Sequence, residues 1–166
     1  MEHRLDNIDE YKKVLGKYPT GVTIISTKYE DTLHGFTANS FTSVSLKPAI
    51  VSFCLDNNSK SFIKFKQSNN FSISILANDQ QNIASHFAQK IVGNKFDKIK
   101  HFAGKYSDSP LIEDATGFIE CQKMQQIACG DHHIFLGKVL SLRLGSDKLP
   151  LVYFARSFRT VSETII

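Results

Sequence analysis

Between Thr116 and Gly145 the chain reads TGFIECQKMQQIACGDHHIFLGKVLSLRLG, and apolar and polar side chains alternate over most of it. A period of two places successive side chains on opposite faces of a strand, so this run is expected to form two or three antiparallel strands. The pattern recurs in AIVSFCLD, where Ala49, Val51, Phe53 and Leu55 point one way and Ser52 and Cys54 the other. It recurs again in NFSISIL through Phe71, Ile73 and Ile75. GVTIISTK is a β-branched strand, YEDT a turn, and LHGFTANSF a second strand running into a loop.

Helical spacing is confined to short segments. Asn7 caps a first helix, with Glu10 three residues on as in a capping box. Ile8, Tyr11, Leu15 and Tyr18 share its face, and Pro19 ends it. SKSFIKFKQ is expected as a short helix capped by Ser59, and DQQNIASHFA as one beginning at Asp79. A loop broken by Gly93, Gly104 and Pro110 follows. Many strands separated by few helices make the chain mainly β, a barrel or sandwich and not a doubly wound α/β sheet. Neither a glycine-rich dinucleotide turn nor a Walker-type phosphate loop is present.

A chain of 166 residues fits a single domain spanning 1–166 with a real hydrophobic core. The net charge of +4 is spread over scattered lysines, which argues for a solvated surface and against a nucleic-acid partner. The first residues, MEHRLDNIDEYKK, are too charged for a signal peptide, and no segment reaches the apolar length of a membrane span. Cys54, Cys121 and Cys129 form no CxxC pair, and read as free thiols in a reducing, cytoplasmic setting. Cys54 and Cys121 fall within alternating strands, as packing residues and not nucleophiles. No metal site is expected, because adjacent His132 and His133 project differently and lack a third ligand.

The stretch TANSFTSVSLKPAIVSFCLDNNSKS, residues 37–61, raises the functional question. Thr37, Ser40, Thr42, Ser43 and Ser45 crowd its start, an apolar strand follows, and a polar turn carries Lys60. A phosphate is bound by backbone N–H groups at a helix start, hydroxyls and a cation, which DNNSKS leading into FIKF supplies. A capped surface helix with a solvated lysine accounts for the same residues. Gly35, Thr37, Asn39 and Ser40 bring small polar groups and backbone to where a flat heterocycle could lie, though hydroxyls are common in any strand or turn.

The order of these parts resolves the ambiguity. PTGVTIIST, GFTANSFTSVSLKP and SFCLDNNSKS are followed by FAQK with NKF, SPLIEDATGFIEC, GDHHIFLGKV and PLVYFARSF. Together they resemble the flavin reductase family with the FMN-binding split-barrel fold, over roughly residues 10–160. The resemblance implies a Greek-key split β-barrel, a homodimer, FMN or FAD as cofactor, NADH or NADPH as co-substrate, and a flavin-dependent monooxygenase as possible partner. By position, Leu33, His34, Gly35, Phe36, Thr37, Asn39 and Ser40 match the segment lining the isoalloxazine ring. Cys54, Leu55 and Asp56 match the strand end beside the ribityl chain, and Ser59, Lys60 and Ser61 the phosphate turn. His86 and Phe87 match a further flavin contact. His132 matches a histidine that orients nicotinamide. Tyr153, Phe154, Ala155 and Arg156 match the segment holding the pyridine nucleotide. There the chain departs from an aromatic or His followed by Arg-Gly, since Arg156 comes one place later and no glycine follows.

The activity so implied is an NAD(P)H:flavin oxidoreductase supplying reduced flavin to a partner monooxygenase. Two alternatives stand beside it: a flavin-binding electron carrier or storage module without pyridine-nucleotide turnover, and oxidase chemistry on a small substrate. His132 likewise has two roles open to it, at the nicotinamide or as a tie between Asp131 and its loop.

Overall fold

Seven strands pair antiparallel in the order β3 (Thr32–Ala38), β2 (Thr23–Tyr29), β6 (Asn70–Ile75), β9 (Gly117–Cys129), β10 (His132–Leu144), β5 (Ala49–Asp56) and β4 (Thr42–Leu46) in a computed structural model that describes residues 7–162. Laid flat, seven strands would hold β3 and β4 about 29 Å apart, at ~4.8 Å per spacing. Yet β3 ends at Ala38 and β4 begins at Thr42. Four Cα steps reach at most about 14 Å. The sheet must therefore curl until its two edge strands approach each other without pairing, which is a split barrel. The mainly β expectation holds.

The barrel is filled largely by phenylalanine. Phe53, Phe65, Phe71 and Phe135 are buried with Ile25, Val51 and Ile73, and the rings of Phe53 and Phe135 stack with centroids 5.0 Å apart. Truncating a ring such as Phe53 to alanine costs about 3–5 kcal/mol. The tip of the Phe71 ring also meets β10 at Gly137, beside a bulge. A Cβ at Gly137 would overlap the Phe71 ring, so only glycine fits.

Strand β2 is covered on both faces, which is why GVTIIS reads as a nearly continuous apolar run. Ile25 points into the barrel, while Ile24 packs outside it with Leu76, Ala84, Phe87 and Phe96. This second cluster seats helix α3 (Gln81–Ala88) against the barrel wall beside β3.

The remaining elements are short. They are α1 (Ile8–Leu15), β1 (Thr20–Gly21), α2 (Phe62–Gln67), β7 (His101–Ala103), β8 (Pro110–Ile112), β11 (Leu151–Phe154) and β12 (Ser157–Thr160). A three-stranded sheet, β1-β11-β12, and the pair β7-β8 lie outside the barrel sheet.

Several local expectations need correction. Helix α1 stops at Leu15, before Tyr18 and Pro19, because Lys17 and Tyr18 donate to Val14 and Leu15 and tighten the chain into a turn. Asn7 does cap it, but through the Asp9 N–H at 2.9 Å. Helix α2 begins at Phe62 with Ser61 at its N-cap position but no side-chain cap bond, and Ser59, in the preceding turn, accepts from Ser61 N through Oγ at 3.3 Å and from Phe62 N through its carbonyl at 3.0 Å. Asp79 caps nothing. Its carboxylate meets Lys148 Nζ at 2.6 Å, and α3 starts at Gln81. Residues 42–46, grouped in the sequence with a hydroxyl-rich loop, form the edge strand β4. In AIVSFCLD the inward set is Val51, Phe53 and Leu55, with Ala49 exposed at the strand's first position.

Candidate functional site

A cleft of about 670 Å³ opens where the edge strand β3 faces the end of β5 and the turn into α2. One wall is β3, an edge strand of the barrel sheet, where Leu33, His34, Gly35, Phe36, Thr37 and Ala38 line the cleft. The connection Asn39–Ser40 forms the base, and the end of β5 adds Cys54, Leu55 and Asp56. The turn leading to α2 adds Asn58, Ser59, Lys60 and Ser61, and the far wall is Phe87–Gly93 with Lys95. His132 stands at the rim.

Two hydroxyls that the sequence offers as ligand donors are already engaged. Thr37 Oγ1 donates to the Ala84 carbonyl at 2.6 Å, joining β3 to α3. Ser40 Oγ accepts from Cys54 N at 2.9 Å and donates to Cys54 O at 3.3 Å, fastening the base of the cleft to β5. Each side chain therefore shapes the site, and hydrogen bonding to a ring edge falls to the outer backbone groups of β3 and to Asn39.

The polar turn is rigidly built. Asp56 Oδ1 accepts from Asn58 N at 2.7 Å, and Asp56 O accepts from Ser59 N at 3.0 Å. Asn57 ties this turn to the neighbouring hairpin, with its N–H on Asp131 O at 3.0 Å and Oδ1 2.6 Å from His133 Nδ1. That hairpin joins β9 to β10 through Gly130-Asp131, where Gly130 takes the left-handed conformation at φ 61°. His132 follows directly, with Nδ1 2.7 Å from Asp131 Oδ1 and its side chain 44% exposed. The hydrogen bond from His132, and then its charge, hold the Asp131 carboxyl below the usual carboxylate range.

The cleft is electropositive. Lys60, Lys90 and Lys95 line it against one carboxylate, Asp56. Burial, and next the charge of Lys60, push the Lys95 ammonium below its ordinary range. Burial, and then Lys64, lower His34 in the same way. Burial also raises the Cys54 thiol, as does nearby Cys129, so Cys54 is no activated nucleophile. Cys121 lies inside the barrel with its thiol pushed up to about 12 by burial.

A flavin suits this donor set. Ser59, Lys60 and Ser61 cluster a cation and two hydroxyls at one part of the cleft, as a phosphate requires. The flat backbone of β3 offers an unpaired strand edge to a planar ring. Of the expected flavin residues, all but His86 line the cleft. His86 instead faces the Lys95 carbonyl, with Nε2 2.9 Å away. Tyr153, Phe154, Ala155 and Arg156 also lie outside the cleft lining. Tyr153 packs on Phe158, and Ala155-Arg156 form the tight turn between β11 and β12. The far wall, Gln89–Gly93 with Lys95, overlaps FAQK (87–90) and NKF (94–96), motifs to which the sequence attaches no ligand role beyond Phe87. Among the described residues, no group of three or more His, Cys, Asp or Glu side chains is placed to hold a metal ion. No described helix is long and apolar enough to cross a membrane.

A seven-stranded curled sheet with an electropositive cleft along its edge strand β3 defines a protein built to hold a small anionic ligand, and comparison with known proteins gives the family. The family described as Flavin reductase like domain matches residues 15–162. An NADH-dependent flavin reductase from a Rhodococcus species is 35% identical over 153 residues, covering 90% of this chain and 84% of the relative. The reductase component of a flavin-dependent trigonelline monooxygenase from Acinetobacter baylyi is 35% identical over 81% of this chain, which spans 43% of that longer protein. The solved structure of a Streptomyces globisporus NADH:FAD oxidoreductase, in complex with NAD and FAD fragments, superposes with a TM-score of 0.93 at 30% identity. It covers 100% of this chain and 99% of its own. The chain belongs to the flavin reductase family. It is an oxidoreductase of the flavin reductase type, and the reading as a flavin carrier without pyridine-nucleotide turnover gives way.

Proposed function

We propose that the protein passes a hydride from NADH to FMN or FAD seated in the cleft between β3 and the Ser59-Lys60-Ser61 turn, and delivers reduced flavin to a partner monooxygenase. The observation that carries this is the meeting, in one cleft, of a strand edge suited to a ring and a cationic turn suited to a phosphate. When bound, the flavin supplies the hydride-accepting ring. The chain's own part is binding and orientation. Outer-edge N–H groups of β3 would hold the ring where negative charge develops, a preorganised electrostatic role. Lys60 with Ser59 and Ser61 would neutralise the phosphate. Phe87 and the far wall exclude water from one side. His132 has its Nδ1 engaged by Asp131, which leaves Nε2 at the rim to orient a nicotinamide amide.

NADH is taken as the donor because the Rhodococcus relative and the Streptomyces globisporus structure are both described as using NADH. The pyridine nucleotide would reach from the rim towards the Tyr153–Arg156 hairpin. A second copy of the chain is the proposed partner for the apolar side chains left bare, among them Leu46, Leu142 and Leu144, at 87%, 72% and 91% exposure. Free Cys54, Cys121 and Cys129 suit a reducing cytoplasm. Steady-state turnover with NADH and NADPH, each against FMN and FAD, tests the assignment. Turnover with NADH and either flavin supports it, and none with any pairing refutes it.

A further inference from the structure

We propose that Lys60 and Lys95 form a two-cation clamp for a flavin diphosphate, so that Lys95 is the residue through which the cleft prefers FAD to FMN. The inference rests on the flavin reading above and goes beyond it to the choice of flavin. Lys60 comes from the turn before α2, and Lys95 from the segment after α3, on the other wall of the same cleft. Among the described residues, no carboxylate is within ion-pair distance of either ammonium.

Lys95 is held at both ends. Its carbonyl is 2.9 Å from His86 Nε2, and its ammonium donates to Phe87 O at 2.6 Å, near the last turn of α3. An ammonium has three protons to donate, so two are left for the cleft. Capping the end of α3 would by itself explain a lysine here. It does not explain why that lysine is half-buried on a cleft whose other wall carries the exposed Lys60. Burial and Lys60 both act against its charge. An anion between the two relieves both penalties.

One phosphate is already served by Ser59, Lys60 and Ser61. A second cation on the far wall matches a second phosphate, and the neighbouring Ile91 and exposed Val92 offer aliphatic surface to the adenine beyond it. NADH carries a diphosphate too, so the test must separate the two dinucleotides.

Dissociation constants for riboflavin, FMN and FAD, measured on the wild type, Lys95→Met and Lys95→Arg, with apparent KM for NADH on each, decide the matter. The wild type should bind FAD more tightly than FMN. Lys95→Met should weaken FAD about 10-fold or more, as expected for a lost charge-assisted contact. FMN and riboflavin should change by less than about 2-fold, and Lys95→Arg should keep most of the preference. Equal weakening of FMN and FAD, or a rise in NADH KM with the FAD-to-FMN ratio unchanged, overturns the clamp. So does a wild type that binds FMN as tightly as FAD, a result that needs no variant to fold. A wild type that binds none of the three flavins overturns the flavin reading and the clamp with it, whereas the other failures leave that reading intact.

Discussion

Thr37 Oγ1 donates to the Ala84 carbonyl at 2.6 Å, so the strand that walls the cleft is bonded directly to the helix behind it. Its hydroxyl hydrogen is thereby unavailable to a ligand. Thr37→Val should lower stability by about 0.5–1.5 kcal/mol, the usual worth of one hydrogen bond. Riboflavin affinity should stay within about 2-fold of wild type, well below what loss of a direct polar contact would cause. Denaturant unfolding and fluorescence titration on one sample check both. A stable variant with badly weakened flavin binding would return the hydroxyl to the ligand.

Lys60 is tested by comparing ligands that differ only at the phosphate. Lys60→Ala should weaken FMN by about 10–150-fold, equivalent to a charge-assisted bond of roughly 1.5–3 kcal/mol, and leave riboflavin almost unchanged. Titration of both ligands into both proteins gives the answer. Equal losses would remove Lys60 from the phosphate.

His132 bonds Asp131 at 2.7 Å while standing at the cleft rim, so both of its readings are geometrically open. If it orients nicotinamide, His132→Ala should raise the apparent KM for NADH, lower kcat/KM by about 2–12-fold and spare the flavin dissociation constant. A lowered melting temperature with unchanged NADH kinetics would make it a loop tie only.

The turn between β11 and β12 places Ala155 at φ 48° and Arg156 at φ 63°, where a Cβ is disfavoured. Two residues with positive φ make the hairpin turn that Asn-Gly suits best. The double change Ala155→Asn with Arg156→Gly should stabilise the protein by about 0.5–1 kcal/mol. That corresponds to a rise of very roughly 1–4 °C in Tm for a chain of this size. Calorimetry checks this, and NADH kinetics on the same variant ask whether the Arg156 side chain serves the pyridine nucleotide. A fall in Tm would mean that the two side chains make contacts outweighing their strain.

Much of this architecture was legible because alternation survives tertiary packing. AIVSFCLD turns Val51, Phe53 and Leu55 into the barrel and Ser52 and Cys54 to its other face, so its pattern announces its geometry. Strand β4 was obscured because TSVSL has no buried residue and its hydroxyls resemble a loop. The start of α3 differs from the sequence expectation because Asp79 pairs with Lys148, and α2 starts later because Ser59 bonds Ser61 and Phe62 from within a turn ahead of the helix. The phosphate turn and the β3 wall were legible as contiguous motifs. The far wall was not, because Lys95 enters the site only through its bonds to His86 and Phe87, and no spacing rule encodes those. The engagement of Thr37 and Ser40 was equally hidden, since their partners are backbone groups of Ala84 and Cys54, distant in sequence.

Flavin held in this cleft should be reduced there by NADH. Anaerobic stopped-flow mixing of NADH with the wild-type protein and FMN or FAD, following the visible absorbance of oxidised flavin, tests it most directly. Rapid bleaching that needs the protein is expected, and bleaching with FMN in the Lys60→Ala variant only at higher flavin concentration. Flavin that binds to the wild type and stays oxidised in the presence of excess NADH would contradict it.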